Sequence, residues 1–139
     1  METQYRILNQ DISLLCVKAE SFPDGIQAAF NELKKRIPQN DARKPYGISK
    51  PERDGTIVYR AGVEQAFEGE AAQQGCETVI IKKGKYLSKT VTQWQTKMET
   101  LGSIFEELLS DPRLDPDSPC VEIYQSQTEL ICMVRIIKM

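Results

Sequence analysis

A carboxylate and a phenol stand two residues apart at Glu122 and Tyr124, within the run Val121-Glu122-Ile123-Tyr124. Alternation of this kind places Val121 and Ile123 on one face of a β-strand and Glu122 and Tyr124 on the other. Side by side on a sheet, an acid and a phenol can hold an organic cation or act as a base and a donor on an electrophile. The same alternation also suits a strand whose polar face meets water, so what covers that face decides between these roles. There is no histidine in the 139 residues. That excludes a Ser-His-Asp triad, an imidazole metal site and a His-ligated haem. Acid–base chemistry is left to Glu, Asp, Lys, Tyr and Cys.

Four cysteines, Cys16, Cys76, Cys120 and Cys132, contain no CxxC pair, so no structural zinc site is expected. Cys16 and Cys132 lie in apolar strand patterns and read as small core residues. Cys76 has no basic neighbour to lower its pKa, and Cys120 shares a strand face with Glu122 without reading as a nucleophile. No metal and no cofactor are expected. The formal net charge of -2 is wrong for a chain that tracks a phosphate backbone, so direct nucleic-acid binding is disfavoured. METQYRILNQ is not a signal peptide, and no apolar run is long enough for a bilayer. The expected setting is a reduced cytoplasm, with no membrane partner.

The elements that must position Glu122 and Tyr124 follow from periodicity. Residues 12–18 read as a central strand. Ile26, Ala29, Phe30, Leu33 and Ile37 recur at helical spacing within 24–37. Lys34, Lys35 and Arg36 suit the negative end of that helix, a reading preferred to a binding patch, and Pro38 ends it. Strands are expected at 44–49 and 56–64, followed by a small, acidic connection at 64–75. A strand bent at Gly84 is expected over 77–89. Trp94, Met98, Leu101, Phe105 and Leu108 mark an amphipathic helix over 92–110, with a capping box at Thr90 to Gln93. Strands at 120–125 and 129–137, joined by Ser126-Gln127-Thr128, close the chain. Both halves thus read β-α-β-β, pseudo-repeats at about 10–66 and 76–139 of one domain spanning 1–139. The expected fold is α+β: an antiparallel sheet with both helices on one face and a ligand groove on the other.

The run Ile81-Lys82-Lys83-Gly84-Lys85-Tyr86, the helix bearing Trp94 and the Glu-x-Tyr of Glu122 and Tyr124 before a final strand together resemble the GyrI-like small-molecule-binding family, an SHS2-type duplication. The resemblance covers about residues 12–138. That family includes the effector-binding domains of AraC- and MerR-type multidrug regulators, standalone proteins linked to gyrase protection, and others that hydrolyse cyclopropane-bearing toxins. The resemblance implies that Glu122 is the pocket carboxylate. It implies Tyr86, Trp94 and Tyr124 as aromatic neighbours, with Tyr46 and Tyr59 contributed by the first half. The sequence departs from the family in having no proline in Val134-Arg135-Ile136-Ile137-Lys138. No helix-turn-helix segment is expected before the first strand, which would rule out a complete one-component regulator.

Three functions follow as expectations. The first is a standalone binder of lipophilic, aromatic or cationic compounds. The second is a hydrolase of strained electrophiles, with Glu122 activating water and Tyr124 donating to the leaving oxygen. The third is a protein partner role, with gyrase or a regulator, in which Glu64, Glu68, Glu70 and Glu77 mimic nucleic-acid charge. Trp94 and Tyr59 also fit as core residues, because each falls within an apolar stripe.

Overall fold

The apolar runs form eight strands in a computed structural model describing residues 2–39 and 41–137. They are β1 (Gln4–Leu8), β2 (Ile12–Lys18), β3 (Tyr46–Pro51), β4 (Ile57–Glu64), β5 (Glu77–Ile81), β6 (Gly84–Thr92), β7 (Cys120–Tyr124) and β8 (Glu129–Ile136). Every pairing is antiparallel, and the order across the sheet is β1-β6-β8-β7-β3-β4-β2-β5. Helices α1 (Ile26–Arg36), α2 (Glu70–Gln73) and α3 (Leu101–Leu109) complete an α+β fold.

Chain connectivity forces this sheet to curl. Only Lys82 and Lys83 join β5 to β6, yet in a flat sheet six strand spacings, about 29 Å, would separate them. Two linking residues reach roughly 10 Å. The link from β1 to β2 meets the same difficulty. Both are resolved by a half-barrel in which β1 pairs with β6 and β5 pairs with β2, so that each half supplies the other's edge strand. Tyr86 helps to hold the β5–β6 corner, its hydroxyl donating to the Lys82 carbonyl at 2.6 Å.

The concave face packs upon itself, with Leu14, Tyr46, Ile48, Ile81, Tyr86, Val121, Ile123 and Met133 in one cluster. The convex face carries the helices. Ala29 and Leu33 of α1 cover Leu15, Tyr59, Ala61 and Val63. Leu101, Ile104 and Leu108 of α3 cover Leu87, Leu130, Cys132 and Val134. Each such buried aliphatic side chain contributes about 1.5–3 kcal/mol before entropy.

Several expectations need correction. Strand β1 went unread, and the strand expected over 77–89 is two strands, because Gly84 turns the chain at a φ of +139°. The helix expected over 92–110 is α3 alone, preceded by two 3-10 turns at Trp94–Thr96 and Met98–Thr100. Thr96 and Thr100 donate their hydroxyls to the carbonyls of Gln93 and Lys97, a local bond that competes with α-helical pairing. No capping box forms: Thr90 and Thr92 lie in β6, and Gln93 takes a φ of +55°. The last two residues of the second repeat, 138 and 139, lie outside the described residues. The acidic connection is ordered around Glu70, which is 3% exposed and paired with Arg43 at 2.6 Å and 2.9 Å. Glu77 pairs with Arg60, so two of the four acids in that stretch are already matched by cations.

Replacing Glu70 by Gln leaves Arg43 with Asp41 alone and weakens two charge-assisted hydrogen bonds. The expected cost is about 2–3 kcal/mol, read as a lower urea midpoint near neutral pH. Arg43 holds the Glu70 carboxyl below its usual range, so this contribution is present above the ordinary glutamate pKa. The gap between the two proteins should close as pH falls through the depressed folded value.

Candidate functional site

β3 and β7 join the two halves of the sheet, and their register sets Gly47 opposite Glu122. On the other side Gly47 faces Ala61 of β4. Tyr59, two residues before Ala61, therefore emerges on the same convex face as Glu122. Its hydroxyl donates to Glu122 Oε1 at 2.7 Å, and the Tyr124 hydroxyl donates to the same oxygen at 3.1 Å. Glu122 Oε2 has no donor among the described residues, and Glu122 as a whole stays partly exposed. A methyl group at Gly47 would land on the Tyr59 hydroxyl and the Glu122 carboxylate. The glycine is thus required by close approach.

Burial pushes the Glu122 carboxyl above its ordinary range, and the two phenols oppose that shift by favouring the charged form. Burial, and then the adjacent carboxylate, push both Tyr59 and Tyr124 upward as well. Both phenols therefore remain protonated donors. The trio offers one acceptor with a free oxygen and two fixed donors. No thiol joins it as a nucleophile. Burial drives Cys120 up to about 11 and Cys132 up to about 12, and Cys76 is also raised.

A continuous run of rings surrounds the acid. Phe22 stacks on Tyr59 at 5.9 Å between centroids, and Phe30 meets Tyr59 edge-on at 6.3 Å. Phe30 also meets Tyr124 at 5.7 Å, and Trp94 meets Tyr124 at 5.1 Å, both edge-on. Three of these rings, Phe30, Tyr124 and Trp94, border a groove of about 470 Å³ between α1 and the segment after β6. Ile26, Phe30 and Lys34 line it from α1, at the four-residue spacing of one helical stripe. Trp94, Met98 and Tyr124 line it from the second half. The residues leading into β3 and Gln125, Ser126 and Gln127 complete the lining. Glu122 lies one hydrogen bond behind this lining, through Tyr124.

Local chemistry fixes the walls. Trp94 is anchored by its indole N–H on the Ser126 carbonyl at 3.2 Å, and the Gln93 amide donates to the Thr128 carbonyl at 2.6 Å. Ser126 Oγ in turn accepts from the Thr128 and Glu129 amides. Opposite, Arg43 is clamped by Asp41 and Glu70 and donates to the Glu64 carbonyl. That clamp fixes the loop carrying Lys44 and Pro45.

Of the six residues expected at the site, Glu122, Tyr124, Tyr59 and Trp94 come together. Tyr46 and Tyr86 do not. Tyr46 pairs with Ile123 and belongs with it to the concave cluster, as does Tyr86. Tyr86 instead lines a smaller concave-side cavity of about 210 Å³, with Ile48, Val79 and Val121. The groove was expected opposite the helices, whereas Glu122 faces the helix side and lies behind the lining of the gap between α1 and the Trp94 segment. Phe30 was read only as part of a helix stripe. Its spacing from Ile26 and Lys34 was the available signal, but only the packing shows that this row borders the groove while Ala29 and Leu33 meet the sheet.

No family model matches the sequence, and no curated protein does. Solved structures do share the fold. The SAV2435 protein bound to tetraphenylphosphonium superposes with a TM-score of 0.64 at 17% identity, over 99% of this chain and 94% of that one. An integron cassette protein from the mobile metagenome of Vibrio cholerae gives 0.68 at 13% identity, over 97% and 95%. A hydrolase from Listeria innocua gives 0.57 at 12% identity, over 98% and 92%.

Two predictions follow from the carboxylate's surroundings. Gly47→Ala should cost about 1–3 kcal/mol of stability through overpacking, measured by urea unfolding. Because the folded state disfavours ionised Glu122, that group weakens the fold at pH above its raised pKa. Glu122→Gln should therefore raise the melting temperature at about pH 8. In a scanning-calorimetry series the gain should shrink as pH falls through the raised folded value and vanish below the ordinary 4.5.

Proposed function

We propose that this chain is a small-molecule-binding module for lipophilic aromatic cations, with Glu122 as the counter-charge and Tyr124, Phe30 and Trp94 as the ring wall. The observation that carries this reading is the free Glu122 Oε2, in a carboxylate held by two phenols beside an aromatic groove. Burial leaves that carboxylate short of solvation. A cation against Tyr124 supplies the missing counter-charge and gains from the ring quadrupoles. Stacking and charge ask for little exact hydrogen bonding, so the site suits many ligands, as a multidrug-recognising, effector-binding domain of the GyrI-like kind would. The tetraphenylphosphonium-bound neighbour of like fold supports the same ligand class. The fold's two halves act here as one binding unit, since each supplies one side of the groove.

The protein has a single tryptophan, and it lines the groove, so its emission reports occupancy directly. Tetraphenylphosphonium should quench Trp94 saturably, and neutral triphenylphosphine oxide should bind more weakly. Glu122→Gln should weaken phosphonium binding about tenfold, equal to ~1.4 kcal/mol, and leave the neutral compound little changed. Equal phosphonium affinity for the two proteins would remove Glu122 from the site.

A further inference from the structure

The charged side chains lining the groove are all basic: Lys34, Arg43 and Lys44. Arg43 is spent on Asp41 and Glu70. Lys34 and Lys44 are exposed, and among the described residues neither makes an ion pair. Lys34 sits one helical turn, about 6 Å along the axis, beyond Phe30. The charges around the groove are therefore divided, basic in its lining and acidic behind it. A carboxylate lies behind Tyr124, on the sheet, and two unmatched ammonium groups stand at the solvent side. A compound carrying only positive charge is attracted by the first and repelled by the second.

We propose that the preferred ligands are amphoteric: an aromatic cation against Tyr124 with a tethered carboxylate, sulfonate or phosphate reaching Lys34 and Lys44. This rests on the binding reading above and narrows its ligand class. The anionic arm turns a repulsion at the groove's solvent side into two attractions. It also distinguishes such ligands from simple lipophilic cations, which the carboxylate alone does not. Because the lysines are exposed, the discrimination is modest and salt-sensitive.

The test compares two probes of equal bulk, a triphenylphosphonium carrying a pentyl chain and one whose chain of equal length ends in a carboxylate. Both are titrated by Trp94 fluorescence at low ionic strength. The intact protein should bind the carboxylate-bearing probe about three- to tenfold more tightly, with the advantage fading as salt is added. In a Lys34→Gln, Lys44→Gln double variant the order should reverse, because the pentyl probe loses a repulsion and the carboxylate probe loses its partners. Equal affinity of the intact protein for both probes, or the same order in both proteins, overturns this inference and leaves the cation-binding reading standing. Failure of both probes to bind overturns the groove reading and this inference with it.

Discussion

Gly47 faces Glu122 across the ladder that joins the two halves, and the absence of a side chain there lets the Tyr59 hydroxyl, arriving from β4, reach a carboxylate on β7. With any larger residue, Glu122 would keep Tyr124 but lose its bond to the first half. The acid would then be less stabilised and free to turn outward. One glycine thus sets both the position of the charge and the fact that its hydrogen bonds come from both halves of the chain. A buried carboxylate needs such donors, since an unpaired one would cost several kcal/mol.

The half-barrel supplies the rest of the geometry. Its curl follows from two short links that cannot cross a flat sheet. The curl also divides the side chains into two populations. The concave set is closed in a core of its own, so the helices have only the convex side to cover. Two helices of eleven and nine residues do not cover an eight-stranded convex face, and a space is left between α1 and the segment bearing Trp94, beside Tyr124 at the end of β7. The groove is what remains when the helix of each half covers strands of its own half. The ring wall then follows from residues at its borders, Phe30 on one helix and Trp94 at the exit from β6.

The hydrogen bonds that fix the groove's borders are redundant. Arg43 makes a forked contact with Asp41 and another with Glu70. Trp94 is tied to the β7–β8 turn, which is itself braced by Ser126. Rigid walls lower the ordering cost of binding, which favours stacking ligands. Among the described residues the unpaired charges of the lining itself are Lys34 and Lys44, whose long, flexible stems can follow ligands of different length.

The sequence by itself determined the alternation that puts Glu122 beside Tyr124 and the strands β2, β3, β4, β7 and β8, because strand patterning is a property of the backbone and needs no partner. It also determined α1, and the apolar stripe of α3 from Leu101 onward. It did not determine where the second helix begins, since Thr96 and Thr100 bond locally in a way that competes with helical periodicity. Nor did it reveal β1, whose exposed Tyr5 and Ile7 form a strand only because β6 offers an edge. Tertiary structure alone decided which face each tyrosine meets. Tyr46 and Tyr59 have similar strand contexts, yet the register of β3 against β4 sends one into the concave core and the other to Glu122. Register is a relation between strands distant in sequence, so no local pattern encodes it.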